Sequence, residues 1–452
     1  MNLCTLLKKR ADDPVKVAVI GAGKFATMFL SQARLTPGIQ IVGIAELIPE
    51  KARNNCIGVG WPQDSLVFGD TASAINTAAA TGKTTITPNA LELIHADCEI
   101  VVEVTGSPKA GAVHAMEAIN AGRHLIMPNV ETDCLAGPLL SRKAADKGLC
   151  FSMAYGDQPA LIMEQIDWAR TVGFDVICAG KGTRYQPAYH YSTPETVWKY
   201  WGFTEEMVAS GAYNAKMFNS FLDGTKSAIE MCAVANAAGL RPADNGLKFP
   251  PISADHLQDV LKPAADGGIL PFAGMVECVA SEDRYDVPVH NHLRWGVYVV
   301  LGAPTAYVKR CFAEYGMKTD KTGKYTALYR PYHFIGLELG ISVASIALRN
   351  EPTGTARYFM ADVVATAKKD LKPGEALDGE GGFTVFGTLA PAEKSLKKGA
   401  LPLGLSDGAK VTKPVTRGTI LTYDDVELDE SQPVCRLRRE FEQKAREGEF
   451  TP

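Results

Sequence analysis

The sequence has no C-x-x-C pair. Its ten cysteines stand apart, at 4, 56, 98, 134, 150, 178, 232, 278, 311 and 435. Such dispersion argues against a zinc module and a disulfide framework, and it fits reduced thiols in a cytoplasmic protein. No apolar run reaches the length of a membrane span. Residues 1–10 place their short apolar run ahead of Lys8, Lys9 and Arg10, the reverse of the order in a signal peptide. Charge of one sign is not in excess either: 47 Lys and Arg against 51 Asp and Glu leave −4, which gives no general attraction to nucleic acid or an anionic membrane. The expected partner is therefore a small molecule, with no nucleic acid and no membrane, in the cytoplasm. What is present is a globular composition, 46% hydrophobic and 22% charged. At 452 residues the chain is too long for one ordinary core, and two or three domains are expected.

The stretch 15–46 organises the rest. Val15, Val17, Ala18, Val19 and Ile20 form a short run of the kind that makes a buried parallel strand. It leads directly into Gly21-Ala22-Gly23-Lys24-Phe25-Ala26 and a helical pattern. This is the dinucleotide fingerprint in its strand-turn-helix setting. Gly21 permits the tight turn, Gly23 admits a pyrophosphate close to the backbone, and Ala26 lets helix and strand pack closely, while Lys24 and Phe25 open the helix whose free N–H groups face the phosphates. A second strand, 39–45, ends at Glu46, where the ribose-binding acid is expected. A carboxylate there accepts hydrogen bonds from both ribose hydroxyls but opposes the 2′-phosphate of NADP, and no arginine stands beside it, so NAD is favoured over NADP.

Further along, the pattern predicts helices over 71–81 and 89–96 around a short strand at 84–86. A buried strand follows at 100–104 and ends in Thr105-Gly106-Ser107-Pro108. Helix 110–121 and strand 124–127 lead to Pro128-Asn129-Val130-Glu131-Thr132-Asp133, and helix 138–147 and strand 150–154 lead to Tyr155-Gly156-Asp157-Gln158-Pro159. The strand ends at Gly21, Glu46, Thr105, Asn129 and Gly156 are expected along the carboxyl edge of one sheet, where doubly wound folds bind their ligands. Thr105, Gly106 and Asn129 therefore join the cofactor candidates. From 172 the strands alternate and lengthen, as in a mixed sheet. A strand at 176–179 is followed by a polar loop with Lys181, an aromatic run at 193–203 reads equally as core or lid, and helices at 227–238 and 335–349 flank a strand at 295–301. Residues 365–375 and 415–422 look like two arms of one small β module, and a charged helix is expected from 427 onward at the surface.

Several runs coincide in order: N-V-E-x-D at 129–133, G-D-x-P at 156–159, A-G-K-G at 179–182, F-x-D-G-T-K ending at Lys226, D-G-G-I-L at 266–270 and R-P-Y-H at 330–333. Together they resemble the deoxyxylulose-phosphate-reductoisomerase-like (DRL) family, which is similar to homoserine dehydrogenases in its first two domains. The segment from 365 to about 428 resembles a SAF domain. The resemblance implies an α/β protein: a Rossmann doubly wound sheet over 1–155, an α+β catalytic and dimerisation domain over 156–364, and a small β-rich SAF-like module with a C-terminal helix over 365–452. It implies an oxidoreductase, with a homodimer or higher homo-oligomer as its assembly. The family's best-known activity is NADPH-dependent reduction and isomerisation of 1-deoxy-D-xylulose 5-phosphate in isoprenoid synthesis. Glu46 stands where those relatives carry serine and arginine, and Thr183–Pro187 replaces an asparagine-rich loop. Fold and reaction class therefore transfer, and the substrate is left as a small polyhydroxylated compound, with isomerisation open. The reductoisomerase itself, a homoserine-dehydrogenase-like enzyme and a non-catalytic NAD-binding sensor are the alternatives. Gfo/Idh/MocA sugar dehydrogenases share the N-terminal pattern, but their Glu-Lys-Pro run is absent at Pro128-Asn129-Val130.

Hydride transfer needs a group that takes or gives the hydroxyl proton and a charge that polarises the carbonyl. Lys181, in its glycine-flanked loop, and His333 are the acid/base candidates. Arg330 would bind a carboxylate or phosphate, Glu131 would orient a lysine, and Asn129 would hold a carboxamide or substrate. Asp157 is a further catalytic candidate, and with Asp223 it would hold a divalent metal if the carbon skeleton rearranges. His290 and His292 alternate on one strand face but lack a third ligand.

Overall fold

The computed structural model describes residues 2–209 and 213–452. They form two units. The first runs up to Leu161 and takes in Phe334–Arg357; the second comprises Ile162–His333 and the chain from Tyr358 onward.

The first unit is a seven-stranded sheet. Its strands are β1 (Val15–Ile20), β2 (Ile39–Ala45), β3 (Leu66–Phe68), β4 (Thr84–Thr87), β5 (Ile100–Glu103), β6 (His124–Ile126) and β7 (Phe151–Ser152). Their order is β3-β4-β2-β1-β5-β6-β7, and every neighbouring pair is parallel. The central strands are near-continuous apolar runs because helices cover both faces of a parallel sheet. The chain moves outward on one side of β1 and resumes on the other at β5, so the switch point lies between β1 and β5, as the fingerprint predicts. Residues 49–97 hold more structure than their sequence announced: helix Pro49–Gly58 and strand β3 precede the expected helix Ala72–Ala80, strand β4 and helix Ala90–His95. Phe334–Arg357 returns to this unit, and Leu339, Val343, Ala344 and Ile346 pack in one core with Phe29, Leu30 and Ile44. Gly156 makes that return possible. At φ +95° its Cα faces the Phe334 carbonyl, which a Cβ would meet at 2.6 Å.

In the second unit, β8 (Asp175–Thr183), β9 (Met275–Ala280), β10 (Val297–Gly302) and β11 (Tyr325–Arg330) form a mixed sheet in the order β11-β10-β8-β9, parallel only between β8 and β9. Helix Thr225–Ala238 is buried at every position except Lys226. It packs against β8 and β9 and against a hairpin of β12 (Ala361–Ala367) and β13 (Val385–Pro391), which is why most of its residues are small or apolar. The two predicted arms do face each other: Leu371 and Val415 exchange backbone hydrogen bonds of 2.8 and 3.1 Å. A further ladder joins β14 (Lys410–Val411) to β15 (Val426–Glu427).

Three elements differ from their sequence reading. The strand with Lys181 runs to Thr183, so Lys181 lies inside β8 and not in a loop after it. The helix expected at 138 is Val130–Ala145, capped by Asn129 and broken at Ala136 (φ −153°) shortly before Pro138. Proline at the first helical position misled the reading, since the break lets Pro138 restart a helix that had already begun. The last helix is Pro433–Arg446, and it is not a surface helix throughout: Arg438 is fully buried and holds Asp362 of β12 with bonds of 3.1 and 2.6 Å.

Candidate functional site

In the first unit the fingerprint has the geometry its residues predicted. Gly21 has φ +106°, and a Cβ there would stand 3.0 Å from the Val104 carbonyl, so only glycine fits. A Cβ on Gly23 would meet nothing within 4 Å. That open space lies at the N-cap of helix Lys24–Ala33, where free N–H groups and the helix dipole favour a phosphate. Ala26 is buried against β1, Phe25 is partly buried on the same core, and Lys24 is exposed beside the opening. Glu46 stands at the end of β2. Its carboxylate accepts the Ala22 N–H at 3.0 Å and the Ile48 N–H at 3.4 Å, with Lys51 Nζ at 3.8 Å. The residues present thus fit a dinucleotide.

At the carboxyl end of β5, Glu103 is fully buried. The Thr105 hydroxyl donates to it at 2.6 Å, the Asn129 amide donates to it at 2.8 Å, and His114 Nδ1 lies at 3.1 Å. Asn129, itself 1% exposed, also accepts the Thr132 N–H at 3.2 Å. Its amide therefore builds the rim and caps a helix. Thr105 and Gly106 are exposed on that rim. Glu131 is 8% exposed in the first turn of the capped helix. Asp157, half-buried, accepts the Gln158 N–H at 2.8 Å and lines a small cavity with Met127, Met153 and Asp133. Asp133 is wholly buried, its Oδ1 accepts no hydrogen bond, and burial pushes its carboxyl up to about 7.

In the second unit Lys181 is 6% exposed and its ammonium donates to Glu230 on helix Thr225–Ala238. The sequence reading missed Glu230. Its signal was a lone carboxylate in an otherwise apolar and small-residue helix, a placement that requires a partner. Glu103, a lone acid in a buried strand, carried the same signal. Glu277, on β9, accepts backbone N–H groups of Lys248, Phe249 and Cys278, yet burial still pushes it up to about 7. His333 Nδ1 donates to the Trp295 carbonyl at 2.7 Å, leaving Nε2 as the other ring nitrogen. The Arg330 guanidinium lies over the Tyr332 ring at 4.6 Å. Asp223, fully buried, accepts Lys368 Nζ at 2.6 Å and the Thr225 N–H at 2.9 Å. Among the described residues, no three His, Cys, Asp or Glu side chains gather as metal ligands. His290 and His292 are exposed. In the aromatic run, Trp198 stacks on Phe203 at 5.3 Å and Trp201 meets Phe218 edge-on at 5.4 Å.

Residues 156–339 match the family described as oxidoreductase DRL, catalytic domain, and residues 341–427 match the SAF domain. No curated protein matches the chain. Among solved structures, a putative oxidoreductase from Klebsiella pneumoniae aligns at 19% identity and TM-score 0.25, over 38% of this chain and 44% of that one. The chain thus spans less than half the length of that structure. A probable dehydrogenase from Thermotoga maritima aligns at 11% identity and TM-score 0.37, over 75% and 90%. A myo-inositol dehydrogenase from Lactobacillus casei, solved with NAD(H) and myo-inositol, aligns at 14% identity and TM-score 0.26, over 41% and 50%.

Proposed function

From the match of residues 156–339 to the oxidoreductase DRL catalytic domain and of residues 341–427 to the SAF domain, we propose that the chain transfers a hydride between a nicotinamide dinucleotide and a small polyhydroxylated substrate, with NAD preferred. The observation that carries the reading is the pairing of two features: a glycine-lined phosphate cradle on a doubly wound sheet and a buried Lys181–Glu230 pair on the catalytic sheet. When bound, the nicotinamide supplies the carbon that gives or takes the hydride. Gly21, Gly23 and the N-terminus of helix Lys24–Ala33 would hold the pyrophosphate, Glu46 the ribose hydroxyls, and Thr105 and Gly106 the rim that the dinucleotide passes.

Lys181 is the proton carrier in this proposal. Its Nζ takes the substrate hydroxyl proton in oxidation and returns it in reduction, and its ammonium polarises the carbonyl oxygen. Glu230 fixes the Nζ position and supplies the countercharge that burial of a lysine requires. His333, with Nδ1 tied to Trp295, is the second proton-exchanging group, through Nε2. A homodimer belongs to the same proposal and is checked by sedimentation of the purified protein.

The test is turnover of Lys181→Ala against the wild type. Substrates are 1-deoxy-D-xylulose 5-phosphate with NADH or NADPH, and a panel of sugar acids and polyols with NAD. Loss of a positioned acid/base group is expected to lower kcat by about 10²–10⁴-fold while NADH binding, read by fluorescence, stays unchanged. Undiminished kcat in Lys181→Ala sinks the assignment. A wild type that binds NADH yet turns over no substrate of either panel favours the sensor.

A further inference from the structure

Four buried cations of the second unit have carboxylate partners: Lys181 with Glu230, Lys262 with Asp320, Lys368 with Asp223 and Arg438 with Asp362. Arg294 differs. It is half-buried, and no carboxylate or carbonyl among the described residues accepts a hydrogen bond from its guanidinium. The neighbouring carboxylate, Glu282, is engaged by Arg184, whose other nitrogen donates to the Tyr200 carbonyl. The group therefore has two cations and one carboxylate. Burial first, and then the Arg184 charge, hold the Arg294 guanidinium below its ordinary value. An anion in the guanidinium plane relieves both costs.

The guanidinium is also held in place. It lies 4.9 Å from the Trp295 ring centroid and 5.1 Å from that of Trp201, within cation–π range of both. Trp201 is fixed in turn by its indole N–H, which donates to the Phe218 carbonyl at 3.3 Å. Arg294 lies three residues before Val297, the register partner of Lys181 on β8. Gly182 lets the Arg294 backbone lie against that strand, since a Cβ there would stand 1.7 Å from the Leu293 carbonyl and 2.9 Å from the Arg294 nitrogen. The second glycine of A-G-K-G thus keeps the arginine next to the lysine's strand.

We propose that Arg294 is the anion-recognising residue of the substrate site, binding a carboxylate or phosphate of the substrate with its two-pronged guanidinium edge while Trp201 and Trp295 hold it in place. The proposal rests on the oxidoreductase reading above and narrows the substrate to a polyhydroxylated acid or phosphate ester. Arg184, already paired with Glu282, is a positioning neighbour.

Full-length wild type, Arg294→Gln and Arg294→Lys are titrated with inorganic phosphate and, separately, with malonate by calorimetry in a chloride buffer. NADH binding is measured in parallel by fluorescence. The expected result is saturable binding of at least one anion by the wild type, weakened at least tenfold in Arg294→Gln, with NADH affinity unchanged. Arg294→Lys keeps the charge without the fork, so it is expected to bind more weakly than wild type; it carries the comparison if Arg294→Gln fails to fold by circular dichroism. Saturation by phosphate alone assigns a phosphoryl group, and saturation by malonate alone assigns a carboxylate. Absence of saturable binding by the wild type, or equal binding by the folded variants, overturns the proposal. A wild type that binds anion through Arg294 but no NADH keeps the anion site and overturns the oxidoreductase reading instead.

Discussion

Asp133 and Glu277 are buried carboxyls that burial pushes up to about 7. An acid whose folded value lies above its unfolded value keeps its proton longer in the folded state. From the ordinary value of 3.8 for Asp133 up to about 7, the folded chain then binds more protons than the unfolded one. Stability falls as pH rises through that window and is level above it. Asp133→Asn removes this dependence. Between pH 5 and pH 8 the wild type is expected to lose on the order of 2 kcal/mol that the variant keeps, at about 1.36 kcal/mol per pH unit. Chemical unfolding of both proteins at the two pH values reads the difference, and parallel losses would show that Asp133 does not titrate in that range. Glu46 makes a separate prediction. With the carboxylate gone in Glu46→Ser, NADP is expected to gain at least tenfold on NAD in relative kcat/KM; an unchanged ratio removes Glu46 from cofactor choice. The fingerprint glycines and Glu46 were legible because their roles follow from backbone geometry at fixed spacing. Glu230 beside Lys181 and Trp201 beside Arg294 were not, since each pairing is made in space between residues far apart in the sequence.

At the scale of elements, strands were read more reliably than the points where they end. The six predicted strands of the first sheet are present, most of them legible because a parallel strand buried on both faces is an unbroken apolar run. The end of β8 was misplaced because Gly180, Lys181 and Gly182 have loop composition. The glycines are there because a Cβ at either would run into the neighbouring backbone, at Glu277 and Leu293. Lys368 is the element-scale counterpart on β12's exit. Its ammonium is buried and donates to Asp223 at 2.6 Å and to the carbonyls of Ser192 and Gly382 at 2.8 Å each. Lys368→Met leaves Asp223 charged, buried and without its cation, at a cost of about 3–5 kcal/mol. The double variant Lys368→Met/Asp223→Leu removes both charges and is expected to recover most of that loss. Urea unfolding measures the three; a single variant within 1 kcal/mol of wild type, roughly the worth of an exposed pair, would show that the clamp is not desolvated.

For the molecule as a whole, the sequence suggests a chain of successive modules, yet two long-range joins cut across that order. Phe334–Arg357 joins the core of the first sheet, a return that no local pattern announces because its helix has the same apolar periodicity against any sheet. The SAF segment, in turn, supplies β12 and β13, which cover helix Thr225–Ala238. Asn236 of that helix accepts the Met360 and Ala361 N–H groups at 2.8 and 2.9 Å and donates to the Ala361 carbonyl at 3.1 Å. The Thr225 hydroxyl accepts the Gly387 N–H at 2.8 Å. A helix with 13 of 14 residues buried cannot remain folded when one of its two covers leaves, since each exposed Leu-sized side chain costs about 1.5–3 kcal/mol. The SAF segment and the catalytic sheet are therefore expected to unfold together. Native-state hydrogen exchange should give β12, β13 and helix Thr225–Ala238 the same opening free energy. Truncation after Arg357 should leave a second unit that aggregates and does not bind substrate. If β12 and β13 exchange more than tenfold faster than the helix, the segment is an independent module docked on a core that is stable without it.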